Sequence, residues 1–461
     1  MNEFRVLAPT AILGYGFPEA SFIEGMKRKP HVIAVDAGST DPGPYYLGAG
    51  TSFTDRSAVK RDLEYMIKAG VENNIPVIIG SAGGSGADSH LDWNVDIVLE
   101  IAREQDLTFK LGVINSQIDK NIVLEQFQNG GLKPMSSVPP ITEAQITNSS
   151  NIVAQMGIEP FIKALDEGAQ VIVAGRAYDP TVFACVAIRN GFDEGLALHM
   201  GKILECATIA CVPGSGSDCM LGTLREDHFV LEPLSNVRKC TTLSVAAHTL
   251  YEKSDPTKLP GPGGVLDLSN CVFEQLTENS VKVSRTKLIR DKEYYIKLEG
   301  AALKGYRTVS IAAASDPIFI ENIDSIVMAV KERVQSNFSN LNNSDYFLDF
   351  KVYGKNGVLL NSGTTPPPHY SPAEICIVIE AVAQTQDIAN TICSFARSSL
   401  LHYGYEGRKS TAGNLAFPFS PSDFEAGEVF NFSVYCLMRS PDPCMYFPVS
   451  VKLCDKGELK E

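Results

Sequence analysis

Residues 31–36 read His-Val-Ile-Ala-Val-Asp, and residues 37–44 continue as Ala-Gly-Ser-Thr-Asp-Pro-Gly-Pro. The apolar run is typical of a strand buried on both faces, and the glycines, prolines and small polar residues after it are typical of a loop. Similar runs in the first half of the chain alternate with stretches whose apolar residues recur at helical spacing. This alternation predicts an α/β protein with a mainly parallel sheet and helices on both faces. The predicted strands are 5–8, 31–35, 75–79, 110–114 and 170–174, and the predicted helices include 57–71, 94–103 and 159–165.

The second half of the chain changes in character. Two apolar helices are predicted within residues 182–211, and short alternating stretches after them favour antiparallel strands. A polar stretch at 335–345 is the best candidate for a domain boundary, and a long apolar helix is predicted over 372–396. The predicted organisation is an α/β domain at 1–340 with an inserted antiparallel patch around 240–310, and a smaller C-terminal α+β domain at 346–461.

Composition excludes several classes of protein. The 461 residues carry 40 Lys and Arg against 54 Asp and Glu, a net charge of −14, which argues against a nucleic-acid-binding protein. No apolar run is long enough to predict a membrane span, and the N-terminal residues lack the basic-then-apolar pattern of a signal peptide. The eleven cysteines are scattered without a Cys-x-x-Cys pair, so reduced thiols and a cytoplasmic location are expected.

The loops that follow the predicted strands carry the candidate binding residues. Ligands of open parallel sheets bind outside the carboxyl ends of the strands, where loops and helix N-termini converge. The glycine-rich loop at 80–90 either exposes backbone N–H groups to an anion or serves only as a tight turn. It matches neither a P-loop nor a dinucleotide fingerprint, so no nucleotide cofactor is expected. The candidate substrate- or anion-binding residues are Gly83, Gly84, Ser85, Asn115, Arg176 and Asp179.

Acidic residues at the same sheet edge suggest proton transfer or metal binding. Asp36 and Asp41 are predicted to act in catalysis, and together with Asp88 they could bind a divalent ion such as Mg²⁺ or Mn²⁺. Alternatively, the two residues have only a structural role, in which Asp36 caps the turn and Asp41 helps to form it. Arg176 could hold a substrate carboxylate through two parallel hydrogen bonds, or form a structural salt bridge to Asp179.

Two histidines complete the candidate catalytic set. His90 ends the glycine-rich loop and is a candidate for moving a proton. His199 shares one face of an apolar helix with Lys202 and Cys206, and Glu205 lies nearby. Charge is costly in a buried helix, which favours a function for His199, although a hydrogen-bonded core histidine beside an extended lysine explains the pattern equally well.

Seven segments of the chain resemble the acyclic terpene utilisation (AtuA-like) family. The resemblance implies a catabolic role on a small acyclic or branched carboxylate, because the family is associated with degradation of acyclic terpenoids through branched acyl-CoA intermediates. It also implies a possible small partner subunit, since some members pair a large chain with a small one. The resembling segments are 14–18, 35–48, 80–84, 174–180, 244–252, 297–301 and 410–419.

The leading functional hypothesis is a lyase of the hydratase or dehydratase type that acts on a carboxylic acid or its CoA thioester. One alternative is a large subunit that is inactive without a small partner chain. Another is a hydrolase of acyl-CoA or amide bonds with a Cys or Ser nucleophile. A homo-oligomer is expected, and neither nucleic acid nor membrane is expected as a partner.

Overall fold

The computed structural model describes residues 2–135, 138–252, 255–341, 345–358 and 372–460. The chain divides into two compact units, which are called unit 1 (Met1–Ala302 with Phe432–Glu461) and unit 2 (Leu303–Asn431). The predicted boundary near residue 340 therefore differs from the observed division. The polar stretch there ends a helix and leads into the next strand inside unit 2, whereas the last 30 residues of the chain return to unit 1.

Helices and strands alternate along most of the chain. The strands are β1 Phe4–Ala8, β2 Val32–Asp36, β3 Val77–Gly80, β4 Thr108–Ile114, β5 Leu132–Pro134, β6 Asn151–Ala154, β7 Val171–Ala174, β8 Met220–Leu224, β9 His228–Pro233, β10 Lys258–Gly261, β11 Gly264–Asp267, β12 Val272–Gln275, β13 Val281–Ser284, β14 Lys287–Arg290, β15 Tyr295–Ala314, β16 Tyr346–Tyr353, β17 Ile375–Ala383, β18 Asp423–Arg439, β19 Val449–Asp455 and β20 Glu458–Lys460. The helices are α1 Glu19–Lys27, α2 Pro44–Ala49, α3 Arg56–Glu72, α4 Asp88–Glu104, α5 Lys120–Gln128, α6 Glu143–Thr147, α7 Glu159–Asp166, α8 Asp179–Arg189, α9 Glu194–Leu204, α10 Thr242–Thr249, α11 Pro317–Glu321, α12 Ile323–Asn337 and α13 Gln386–Leu401.

Unit 1 is built on an 11-stranded sheet with the order β12-β13-β9-β8-β1-β2-β3-β7-β4-β19-β20. Its centre, β1-β2-β3-β7-β4, is parallel, as predicted from the apolar runs. The strands on both sides of this centre are antiparallel. The whole sheet is therefore mixed rather than mainly parallel, because strands from the second half of the chain extend both of its edges.

Helices cover both faces of this sheet, as predicted. Alternate residues of each central strand point into two different cores, which explains the continuous apolar character of these strands. Val77 packs in the core that contains α3 and α4, whereas Ile78 packs in the core that contains α7, α8 and α9. The same alternation holds for Ile33 and Ala34 on β2.

Antiparallel strands occupy most of the stretch around 240–310. β10, β11 and β14 form a separate three-stranded sheet in unit 1. β12 and β13 instead extend the large sheet beyond β9. The first part of β15 pairs with β6, which brings residues 298–301 beside residues 151–154.

Unit 2 has the order strand, two consecutive helices, strand, strand, helix, strand, and its sheet is ordered β16-β17-β15-β18, with β17 antiparallel to both β15 and β16. This is the split βαβ, ferredoxin-like arrangement. The helix predicted over 372–396 is wrong in its first half, because residues 375–383 form β17 with strictly alternating burial. Ile377 and Ile379 of this strand pack against Ile392 of α13 in the unit 2 core.

Gly86 is a position where packing excludes any side chain. Its φ of +70° lies in the left-handed region, and an added Cβ would lie 2.0 Å from the backbone nitrogen of Arg176. Ser116 fastens the two loops together: its Oγ donates to the Gly86 carbonyl at 2.8 Å and accepts from the Arg176 N–H. The loop after β3 is therefore held directly against the residues that follow β7.

We expect Gly86→Ala to destabilise unit 1 more than Gly130→Ala, although both glycines have nearly the same positive φ. Gly130 has no heavy atom within 4 Å of an added Cβ, so its substitution should cost only the left-handed strain of about 1–2 kcal/mol. Gly86→Ala should cost about 1–3 kcal/mol more because of overpacking against backbone. Urea unfolding of both variants would measure the difference, and equal losses would contradict this packing argument.

Candidate active site

The carboxyl ends of β2, β3 and β7 meet at one edge of the unit 1 sheet. Asp36 is the last residue of β2 and pairs in register with Gly80, the last residue of β3. Ser81 follows β3, and Arg176 comes two residues after the end of β7. Residues that are far apart in sequence are thus brought together at the place where parallel sheets usually bind ligands.

A cavity of about 600 Å³ in unit 1 is lined by Arg176 and Asp179 from this edge. Its wall carries both signs of charge together with the aromatic rings of Tyr178 and Tyr435. A cavity of this size and polarity suits a small polar ligand. The other charged residues that line it are Lys202, Lys258, Lys297, Asp41, Glu205, Glu252 and Asp255.

The guanidinium of Arg176 is buried and rigidly held. Its Nε donates to Glu299 Oε2 at 2.7 Å. Its Nη1 donates to Ser81 Oγ at 3.1 Å, to the Ala177 carbonyl at 2.9 Å and to Asp179 Oδ1 at 2.9 Å. Burial alone would lower the pKa of Arg176, but Glu299 and Asp179 raise it, so the residue stays positively charged. Nη2 makes no hydrogen bond to the described residues and is the guanidinium nitrogen left for a ligand.

Glu299 is the buried anchor of this arginine. Its side chain is 1% exposed, and Oε1 pairs with Lys297 Nζ at 2.7 Å and accepts from Thr40 Oγ1 at 3.1 Å. Burial would raise the pKa of Glu299, but Arg176 and Lys297 overcome that effect and lower the pKa to about 2. Lys297 also lies over the ring of Tyr435, with Nζ 4.9 Å from the ring centroid. The site therefore contains an ionised chain of Arg176, Glu299 and Lys297.

A second buried ion pair comes from the C-terminal end of α9. Lys202 Nζ donates to Glu205 Oε1, and the two side chains are only 2% and 8% exposed. Burial would lower the pKa of Lys202, but Glu205 raises it, so the ammonium stays charged. His248 lies nearby, and burial together with Lys202 lowers its pKa to about 4. This histidine is thus neutral at physiological pH.

Asp36 is a buried carboxyl group whose charged form is disfavoured. Its Oδ1 has no hydrogen-bond partner among the described residues. Burial and the nearby Asp179 raise the pKa of Asp36 well above its usual range, although Arg176 and Ser81 act in the opposite direction. Burial therefore favours the protonated form of Asp36, next to the ionised pair of Arg176 and Glu299.

Several predicted site residues hold loops in place through hydrogen bonds and do not line the cavity. His90 accepts from the Ala87 N–H through Nδ1 at 3.2 Å and bonds the Thr51 carbonyl through Nε2 at 2.9 Å. Asn115 donates to Asp88 Oδ1 at 2.9 Å. With both ring nitrogens of His90 occupied, its predicted role in proton transfer has no support in the geometry.

The predicted anion-binding glycines are packed against aromatic rings. An added Cβ on Gly83 would lie 2.7 Å from the His90 side chain, and one on Gly84 would lie 2.7 Å from Phe53. Ser85 is 1% exposed. In the described chain none of Gly83, Gly84 and Ser85 lines the cavity, and the loop is tightly packed.

His199 belongs to the core. Its Nδ1 is 2.7 Å from Thr286 Oγ1, and its Nε2 is 3.1 Å from Thr249 Oγ1. Burial lowers the pKa of His199 to about 3, and the ring packs edge-on against Phe229. The reading of His199 as a hydrogen-bonded core histidine accounts for all these contacts, and its predicted catalytic role does not.

The predicted metal ligands are engaged in separate contacts. Within the described ranges no group of three or more His, Cys, Asp or Glu residues is arranged to hold an ion. Asp41 is exposed and accepts from Ser39 Oγ at 2.7 Å, whereas Asp88 bonds Asn115 and Asp36 is buried. Asp36, Asp41 and Asp88 are thus engaged separately.

Residue-type arguments missed the importance of Glu299 and Lys297. Both lie on β15 at alternate positions, so their side chains reach the same face of the strand. A glutamate and a lysine two residues apart inside an apolar strand are a signal of buried pairing, because unpaired charge there is costly. This sequence pattern does not identify Arg176 as the further partner of Glu299.

The fold and the cavity define an α/β protein with a charged cavity at the carboxyl ends of parallel strands. The chain belongs to the acyclic terpene utilisation family AtuA, whose family model matches residues 54–216 and 230–418. Asp36 and Asp41 precede the matched residues, whereas Arg176, Asp179 and Glu299 lie within them. No curated protein and no solved structure matches the chain.

No helix in the described ranges has the length and apolar character needed to cross a membrane. The described cysteines are all free.

The buried acid Asp36 predicts a specific dependence of stability on pH. Above about pH 4 the unfolded chain has released this proton while the folded protein retains it, so stability falls as pH rises towards the folded pKa. Asp36→Asn removes this contribution. The variant should therefore gain stability over the wild type as pH rises, by up to about 1.4 kcal/mol per pH unit.

Urea unfolding at pH 5 and pH 8 would measure this difference. Asp166→Asn is a matched control, because Asp166 is an exposed carboxylate paired with Arg189. A difference between Asp36→Asn and wild type that is the same at both pH values would show that Asp36 is ionised in the folded protein.

Proposed function

We propose that the cavity of unit 1 is the active site of a lyase of the hydratase or dehydratase type. Its substrate would be a small acyclic or branched carboxylic acid or the CoA thioester of one, within the role in acyclic terpene utilisation that family membership implies. The observation that carries the proposal is the arrangement around Arg176. A fixed guanidinium, whose Nη2 makes no hydrogen bond to the described residues, lies beside Asp36, a buried acid whose raised pKa favours the protonated form, and bonds Asp179, a carboxylate on the cavity wall.

Arg176 would orient the substrate. Arg176, Lys202 and Lys297 line the same cavity, so a carboxylate or thioester carbonyl would find several donor residues there. Each of these cations is already paired with a carboxylate of the protein. Their positions are therefore set before substrate arrives, and little reorganisation is needed on binding.

Asp179 and Asp36 would move the protons. In the dehydration direction a base removes the proton next to the carbonyl, the carbon–oxygen bond at the neighbouring carbon breaks, and the hydroxyl leaves as water after taking up a proton. Asp179 lies on the cavity wall and is the candidate base. Asp36 is the candidate proton source, since burial and the charge of Asp179 raise its pKa and favour its protonated form. In the described chain Asp36 does not itself line the cavity, so it would act from behind Asp179.

A serine or cysteine hydrolase is a weaker candidate. The described residues that line the cavity include no Ser, Thr or Cys. Burial raises the pKa of Cys206, which follows Glu205 at the end of α9, and a raised pKa lowers the reactivity of a thiol. A bound divalent ion is not part of the proposal, because the predicted ligands are engaged separately.

The test is hydration and hydrogen exchange on a panel of branched 2-enoic acids, 3-hydroxy acids and their CoA thioesters. NMR in D₂O would detect both product and deuterium at the carbon next to the carbonyl. Asp179→Asn and Asp36→Asn should each lower turnover by about 100-fold or more, the usual contribution of a general acid or base. Asp36→Asn should do so while being more stable than the wild type at pH 8, the opposite of what damage to the fold would give.

Arg176→Lys tests substrate orientation, because it keeps the positive charge but loses the planar set of donors. We expect the KM for the acid to rise by about tenfold or more. Arg189→Lys is the matched control, since Arg189 forms an exposed pair with Asp166.

Turnover that survives both Asp substitutions within a factor of two would overturn the proposal. A wild-type chain that is inactive alone and gains activity with a small partner chain would favour the subunit alternative.

A further inference from the structure

A second cavity lies within unit 2 and has no part in the proposed lyase site. Its volume is about 320 Å³, and it is lined largely by the loop that joins α13 to β18, residues 405–416. This loop contains the sequence Arg408-Lys409-Ser410-Thr411-Ala412-Gly413-Asn414, which is called the 408–414 loop here. Part of it belongs to a segment that resembles the family, yet the lyase mechanism leaves it without a role.

The C-terminal end of the 408–414 loop is firmly anchored. Asn414 donates through Nδ2 to the carbonyls of Leu400 and Tyr403, at 3.0 and 2.9 Å, which ties the loop to the end of α13. Ala416 and Ala313 exchange two backbone hydrogen bonds of 2.8 Å, which ties the loop to β15. The loop therefore forms a fixed wall of the cavity.

Arg408 braces the loop from inside. Its Nε donates to Asn414 Oδ1 at 2.7 Å, its Nη1 to Ser410 Oγ at 3.2 Å and its Nη2 to the Ala412 carbonyl at 2.9 Å. All three partners are uncharged, and no carboxylate of the described chain lies within salt-bridge distance of this guanidinium. In a protein with a net charge of −14, an arginine that has no carboxylate partner attracts an anion.

Hydrogen-bond donors are concentrated at the tip of the loop. The backbone N–H groups of residues 409–413 donate to no group in the described chain, and these residues are exposed. The ammonium of Lys409 also forms no ion pair with the described residues. Ser410 has a φ of +56°, and a left-handed residue turns successive N–H groups towards one point, as in the backbone nests that bind anions.

We propose that the 408–414 loop is a binding site for a phosphate group. Phosphate presents a tetrahedral set of acceptor oxygens. The loop offers matching donors, namely consecutive N–H groups, two hydroxyl groups, an ammonium and a fixed guanidinium. Asp316 is the carboxylate among the residues that line this cavity, and it is occupied in capping α11 through the Phe319 N–H at 2.8 Å. The phosphate could be free or part of a larger ligand such as a nucleotide or CoA, and the inference does not rest on the proposed lyase function.

NMR titration of the full-length chain with inorganic phosphate tests this site. The amide signals of residues 409–413 should shift with saturation, whereas sodium chloride at the same ionic strength should leave them in place. Titration with CoA distinguishes the two sources. Affinity for CoA that is about tenfold or more above that for phosphate indicates a larger ligand, and equal affinity indicates free phosphate.

Lys409→Gln should weaken phosphate binding by about tenfold, because it removes one charge-assisted contact without touching the bonds that shape the loop. Ser410→Gly, which suits the positive φ, should retain the backbone contribution and bind phosphate within a few-fold of wild type. Lys68→Gln is the matched control for Lys409, since Lys68 is exposed on α3 and lies in unit 1. Amide signals that do not move, or equal weakening by Lys68→Gln, would overturn the proposal.

Discussion

The ion pair between Arg176 and Glu299 is the interaction on which the rest of the site depends. Both side chains are almost completely buried, and their atoms are 2.7 Å apart. Breaking a pair of this kind leaves an uncompensated charge in the interior, at a cost of about 3–5 kcal/mol. The pair connects the loop after β7 with β15, so a strand from late in the chain fixes the orientation of the guanidinium.

The same buried charges explain how an acidic protein could hold an anion. Lys202 and Lys297 each form a pair with a glutamate, which keeps them charged but also reduces the positive potential of the cavity. Burial and Asp179 instead oppose the ionisation of Asp36. The sign of the charge inside the cavity therefore depends on which carboxylates are paired with cations and which are protonated. The net charge of the chain does not decide it.

Most of the elements could be predicted from the sequence, and the errors have physical causes. The central strands were predicted correctly because burial on both faces requires a continuous apolar run. The sequence predicts a helix over residues 375–383 because a continuous apolar run also fits a buried helix. The Ile and Val residues of this run favour a strand instead. The compact units divide near residue 302 and not near 340, and β19 returns to pair with β4, a contact that local composition does not record.

By itself the sequence determined the five strands of the parallel centre of unit 1 and the placement of Asp36, Arg176 and Asp179 at one sheet edge. It could do so because parallel strands carry their following loops to a common end. Only the tertiary structure decided that Glu299, 123 residues from Arg176, completes the site, and that His90 and His199 are held by other hydrogen bonds. The physical reason is that long-range packing determines which group bonds a buried charge or ring nitrogen. Such a partner produces no periodic pattern in the neighbouring sequence.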